Sequence, residues 1–176
     1  MSYIPLTLVL GGARSGKSRY AESLTTAAKS PWTYIATAEA GDEEMAARIN
    51  THRARRGSCW RTIEAPREIA AVLAECETTS VLIDCLTLWL SNLMFAHADI
   101  DREIGRLEKA LLAMKVPVVL VANEVGLGIV PEHPLGRQFR DWQGVLNQRM
   151  AAQADRVILM VAGLPLVIKG GPEARQ

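Results

Sequence analysis

Residues 6–18, LTLVLGGARSGKS, constrain the fold more than any other part of this chain. The short run of Leu, Thr and Val, ended by glycine, reads as a buried strand. The residues after it satisfy G-x-x-x-x-G-K-S with Gly11, Gly16, Lys17 and Ser18. The chemistry needs that spacing. Glycines let the backbone of Gly11, Gly12, Ala13, Arg14, Ser15 and Gly16 curl so that successive N–H groups converge on phosphate oxygens. Lys17 adds a point charge for the β- and γ-phosphates, and the Ser18 hydroxyl suits Mg²⁺. Short Gly-rich patterns also arise in ordinary turns. Here the pattern follows a strand and opens a helix whose apolar face includes Tyr20, Ala21 and Leu24, the context a phosphate cradle requires. A nucleoside-triphosphate site in an α/β fold of the P-loop kind is predicted.

The rest of the chain alternates in the same way. Runs at 6–10, 32–37, 80–85, 116–122 and 156–161 are short, rich in Val, Ile and Leu, and read as buried strands. Helices are expected at about 17–29, 42–53, 66–77, 99–114 and 135–154. In the fourth, Ile100, Ile104, Leu107, Leu111 and Met114 recur at helical steps behind an acidic start; in the fifth, Leu135, Phe139, Trp142, Leu146 and Met150 do so. Pro66 suits the first turn of the third. Strands alternating with helices imply a mainly parallel sheet with helices on both faces. The segment 86–96, LTLWLSNLMFA, is apolar nearly all round, which implies deep burial or a subunit interface, with the interface preferred.

A length of 176 residues fits a single domain, 1–176, ending in a frayed tail at 170–176. No apolar run reaches the roughly 18 residues of a membrane span, and the N-terminus lacks the basic leader of a signal peptide. Cys59, Cys76 and Cys85 are scattered, which fits free thiols in a reducing cytoplasm. Twenty Lys and Arg against 19 Asp and Glu leave a net charge of +1, which argues against a polybasic nucleic-acid binder.

A triphosphate site also needs a carboxylate at a neighbouring strand end to hold Mg²⁺, and Asp84, closing SVLID, fits; a capping role is the plainer alternative. The following residues lack the D-x-x-G switch, and Asn123-Glu124-Val125-Gly126 replaces the N-K-x-D that reads guanine, so a regulatory GTPase is disfavoured. Arg48, Arg53, Arg55, Arg56, Arg61 and Arg67 crowd into twenty residues with one carboxylate, Glu64. Such a run is usually a solvated face. If the second helix continues through 56, however, Arg48, His52, Arg55 and Arg56 fall within about 80° of one another. Cations around His52 keep the imidazole neutral and nucleophilic while neutralising charge on phosphorus, so attack on an α-phosphate is one use and simple packing another. His97 and His133 are weaker candidates. The block 123–144, rich in Gly and Pro after a strand end, is either a wide connection or a substrate wall.

Taken together, GGARSGKSRYAE, YIAT, EMAARINTHRARRG with WRTIEAP, DCLTLWLSNL, VANEVGLGIVPEHPLGRQFRDWQGVLNQRMAAQADRV and AGLPLVIK resemble the bifunctional adenosylcobinamide kinase / adenosylcobinamide-phosphate guanylyltransferase family, in order, from about 7 to 169. The joint H-R-x-x-R-G-x-x-W-R-T-x-E, N-E-V-G-x-G-I-V-P and F-R-D-x-x-G-x-x-N-Q blocks are far more specific than the P-loop. The resemblance implies a RecA-like P-loop domain, cytoplasmic and assembled as a homotrimer, with segment 86–96 at the interface. It implies phosphorylation of adenosylcobinamide with ATP or GTP, then transfer of GMP from GTP to adenosylcobinamide phosphate through a guanylylated histidine that falls on His52. Nucleotide contacts fall on Gly11 to Ser18, Ala36, Thr37, Ala38, Arg53, Ala54, Arg55, Arg56, Glu64 and Asp84, with Ser18 and Asp84 at Mg²⁺. Glu124 is a further candidate for holding metal or accepting a proton. The alternatives are a generic P-loop small-molecule kinase without a covalent nucleotide, and a RecA-like ATPase whose arginines bind nucleic acid.

Overall fold

A computed structural model describes residues 5–39 and 57–170. Strands β1 (Leu6–Gly11), β2 (Trp32–Ala36), β3 (Trp60–Glu64), β4 (Ser80–Asp84), β5 (Val118–Asn123), β6 (Arg156–Val161) and β7 (Leu164–Lys169) form one sheet in the order β3-β2-β4-β5-β1-β6-β7. All pairings are parallel except the β6–β7 hairpin. The described helices are α1 (Lys17–Thr25), α2 (Ile69–Ala74), α3 (Leu86–Phe95), α4 (Ile100–Ala113) and α5 (Pro134–Gln153). The expected helix at 42–53 lies outside the described residues.

Strand alternation divides the interior into two cores. On one face Val9, Tyr34, Leu82, Val119, Val121 and Ile158 pack with Ala21 of α1. On the other, Leu8, Ile35, Val81, Ile83 and Leu120 meet α2 to α5 through Ile69, Trp89, Ile104, Leu107, Leu146 and Met150. The expected mainly parallel sheet with helices on both faces is what the sequence forms. Helix α4 follows its pattern closely: Asp99 caps it by accepting from the Arg102 N–H at 3.0 Å, and Ile100, Ile104, Leu107 and Leu111 are buried. Its outer side is tied to α5 by Arg149, which donates to Glu108 at 2.8 Å and to Asp101 at 2.6 Å.

Segment 86–96 supplies α3 and continues the core: Leu86, Trp89, Leu90 and Leu93 are buried within the subunit, Trp89 donates its indole N–H to the Arg67 carbonyl at 2.8 Å, and Phe95 stays exposed. The buried side of this apolar helix meets α2, α4 and α5. Two expectations change. Helix α2 begins at Ile69, so Pro66 precedes it, and the Pro66 carbonyl accepts from the Asn92 amide at 3.0 Å. Strands β3 and β7 were not expected. WRTIE alternates, but lies within the arginine-rich stretch; LPLVIK contains a proline and is exposed along its whole length.

Candidate nucleotide site

Strand β1 ends in Gly11, and the chain turns through left-handed Arg14 (φ 55°) and Gly16 (φ 91°) into α1. Gly16 caps α1 without a side-chain hydrogen bond, and no acidic residue occupies the first turn. The orphan N–H groups and the positive end of the helix dipole are thus left for an anion. The loop is braced from within, the Ser15 N–H donating to the Gly12 carbonyl at 3.3 Å and the Lys17 ammonium to the same carbonyl at 2.9 Å. It is also braced from the far end of the chain. Ala162 (φ 52°) and Gly163 (φ 82°) give the β6–β7 hairpin a turn with two left-handed residues, and the Gly163 N–H donates to the Ser15 carbonyl at 3.1 Å.

Asp84 closes β4, two strands from β1 with β5 between them, about 10 Å at ordinary strand spacing. Leu82 belongs to the core on the α1 side, so alternation sends the Asp84 carboxylate to the face that carries Lys17. Register places Ala36 opposite both Asp84 and Glu64, so Glu64, Ala36 and Asp84 form one row across three strand ends. Thr37 follows, fully buried; its hydroxyl donates to the Cys85 carbonyl at 2.7 Å and accepts from the Cys85 N–H at 2.8 Å. Ala38 comes next, half-buried. Burial holds the Lys17 ammonium below the usual lysine pKa, against the opposing pull of Cys85 and Asp84. Burial, then the Asp84 charge, pushes the Cys85 thiol up to about 12, so it stays protonated. Cys59, Cys76 and Cys85 are all free thiols.

The structure thus gathers Gly11 to Ser18, Ala36, Thr37, Glu64 and Asp84 at the carboxyl ends of β1, β2, β3 and β4, where open α/β sheets bind ligands. Arg48, His52, Arg53, Ala54, Arg55 and Arg56 lie outside the described residues. Arg61 does not join this row: it alternates with Glu64 on β3 and shares the face of Thr33 and Ile35, opposite the cradle. Arg67 is exposed, and its carbonyl serves Trp89. His133 caps α5, its Nδ1 accepting from the Leu135 N–H at 3.3 Å.

Block 123–144 is built by two residues of the F-R-D-x-x-G-x-x-N-Q block. The Asn147 amide donates to the Asn123 carbonyl at 3.1 Å, and Arg140 to the Gly126 carbonyl at 2.7 Å. Seven residues apart, they share a helix face, and that spacing was the available signal. The Asn123 N–H donates to the Thr87 hydroxyl at 2.7 Å, and the Glu124 N–H to the Gly11 carbonyl at 3.1 Å, so this loop starts against the cradle. The Glu124 carboxylate accepts from the Gly126 N–H at 2.6 Å. Beyond it, Leu127, Ile129 and Val130 are exposed. An open groove of about 410 Å³ runs along α5 past Arg137, Asp141, Trp142 and Val145.

Residues 7–168 match the family model described as cobinamide kinase / cobinamide phosphate guanyltransferase. The bifunctional adenosylcobalamin biosynthesis protein CobP of Pseudomonas aeruginosa is 48% identical over 169 residues, covering 94% of this chain and 98% of that protein. The bifunctional adenosylcobalamin biosynthesis proteins CobU of Salmonella typhimurium and Escherichia coli are 43% and 42% identical, each covering 93% of this chain and 99% of the relative. Among solved structures, a KaiC-like protein of Pyrococcus horikoshii shares the fold, with a TM-score of 0.51 at 14% identity over 88% of this chain and 71% of that one. A second protein of the same archaeon gives 0.55 at 7% identity over 96% and 88%.

Proposed function

Because the chain belongs to the cobinamide kinase / cobinamide phosphate guanyltransferase family, we propose that it carries both activities in assembling the nucleotide loop of cobalamin. The observation that carries this reading is a family match over residues 7–168 in a chain whose P-loop and Asp84 share one sheet face. In the first reaction, the γ-phosphoryl of ATP or GTP passes to the hydroxyl of the aminopropanol arm of adenosylcobinamide. Catalysis there is chiefly positioning and charge neutralisation by the loop amides and Lys17. In the second, neutral His52 attacks the α-phosphorus of GTP and expels pyrophosphate. The substrate's phosphate oxygen then attacks the same phosphorus and breaks the P–N bond, giving adenosylcobinamide-GDP.

The Ser18 hydroxyl and the Asp84 carboxylate are hard oxygen donors on facing elements, a set that suits Mg²⁺, and they are the residues that would hold it. When bound, Mg²⁺ neutralises charge on the phosphate oxygens. The exposed Leu127, Ile129 and Val130, on a loop rooted at the cradle, support block 123–144 as the wall that meets the corrinoid. Among the described residues no helix is long and apolar enough to cross a membrane, which agrees with a cytoplasmic enzyme. For the homotrimer, the supporting surface is β7, where Leu164, Leu166, Val167 and Ile168 are all exposed on an edge strand.

Incubation with α-labelled GTP tests the reading. It should give an acid-labile, alkali-stable protein adduct that cobinamide phosphate discharges. A His52→Asn variant that still forms the adduct would overturn the nucleophile. Complete absence of adduct, with γ-transfer intact, would favour the plain kinase.

A further inference from the structure

The hydroxyl of Tyr34, a tyrosine only 5% exposed, donates to Oδ2 of Asp84 at 3.1 Å. The contact follows from register. Ala36 lies opposite Asp84 and Leu82 opposite Tyr34, so Tyr34 and Asp84 sit diagonally on one face of adjacent parallel strands. That diagonal is about 7–8 Å, a span a tyrosine ring can bridge. Trp60 on β3 fixes the ring from its other side, edge to face at 6.2 Å. Three residues on, Thr37 clamps the backbone of Cys85 through both its N–H and its carbonyl, and the Thr37 N–H donates to the Asp84 carbonyl at 3.3 Å. Strand β2 and the residue that follows it therefore grip Asp84 twice, Thr37 by the main chain and Tyr34 by the carboxylate.

From this geometry we infer that Tyr34 is a positioning residue: its hydroxyl sets the rotation of the Asp84 carboxylate and presents Oδ1 toward the cation of the bound nucleotide. The inference rests on the reading of Asp84 as a metal-holding group. The terminal torsion of an aspartate is broad and nearly two-fold, so an untethered carboxylate samples many orientations. A donor on Oδ2 removes that freedom and leaves the Oδ1 lone pairs for a ligand. The tether is neutral, so it orients the carboxylate without cancelling its charge.

The test is GTP binding by calorimetry as Mg²⁺ is titrated, on wild type, Tyr34→Phe, Asp84→Asn and the double variant. Near-UV circular dichroism checks that the packing around Trp60 persists. In EDTA, Tyr34→Phe should bind GTP as wild type does. Its Mg²⁺ midpoint for enhanced binding should rise about tenfold, the effect of losing one hydrogen bond to a charged group. Asp84→Asn should raise the midpoint further, and adding Tyr34→Phe to it should change nothing more. A Tyr34→Phe midpoint equal to wild type, with Asp84→Asn shifted, would overturn the positioning role alone. An unshifted Asp84→Asn would overturn the metal reading beneath it. A Tyr34→Phe effect of equal size on the Asp84→Asn background would mean that the hydroxyl acts other than through Asp84.

Discussion

Replacing Gly11 by alanine probes the joint on which the phosphate cradle is built. A Cβ there would lie 2.7 Å from the Met160 carbonyl oxygen and 2.5 Å from the Ser15 hydroxyl. The serine can rotate, because its hydroxyl has no hydrogen-bond partner among the described residues. The carbonyl belongs to β6, paired directly with β1 at Gly11–Met160, and cannot turn without breaking the ladder. Reaching the 3.4 Å of ordinary contact requires the two strand ends to part by roughly 0.7 Å where the loop begins. Overpacking of that kind costs about 1–3 kcal/mol; at 2 kcal/mol the melting temperature of a chain this size falls about 4–8 °C. Because the displaced backbone carries the phosphate-binding amides, GTP affinity should fall at least about tenfold as well. Thermal unfolding and calorimetric GTP titration read both effects. Gly12→Ala, whose Cβ would meet nothing within 4 Å among the described residues, is the control and should melt like wild type. A Gly11→Ala protein with unchanged melting and affinity would refute the close β1–β6 approach and the reasoning built on it.

Lys17→Met should abolish nucleotide binding yet raise the melting temperature at neutral pH, because burial disfavours the charged ammonium. The folded lysine releases its proton below the usual 10.5, so the variant's advantage should shrink as pH rises toward that value. Glu108→Gln breaks the pairing with Arg149 and should cost about 1–2 kcal/mol in urea unfolding at pH 7. Arg149 holds the folded carboxyl below 4.5, so that stability is complete above the unfolded value and lost as pH falls through the folded one; wild type and variant should converge once the pH lies below the folded value. Leu166→Lys on the exposed β7 should lower the assembly state in sedimentation while leaving the subunit folded; an unchanged assembly would move the interface elsewhere.

Much of the site was legible because its determinants are local. A P-loop needs glycines at fixed offsets within a few residues, and Asp84 announces itself as a carboxylate closing an apolar run. What escaped depended on pairing between distant strands. Tyr34 looks like any buried aromatic until register sets it diagonal to Asp84. Thr37 was placed by resemblance, but its clamp on Cys85 follows from the neighbouring strand. The arginine-rich stretch hid β3, because charge density masked the alternation that turns Arg61 away from Glu64. Segment 86–96 carried a true signal of all-round apolarity, but hydrophobicity alone cannot distinguish neighbours within the subunit from neighbours in another one.

The hydrogen bond from Gly163 to Ser15 also bears on the order of events during synthesis. The cradle motif lies near the start of the chain, but the turn that braces it lies near the end, and β1 is flanked by β5 and β6. While the chain is emerging from the ribosome, the glycine-rich loop has neither its neighbouring strands nor its brace. The phosphate loop therefore takes part of its bracing from a hairpin far along the chain, which ties the geometry of the loop to the docking of β6 and β7.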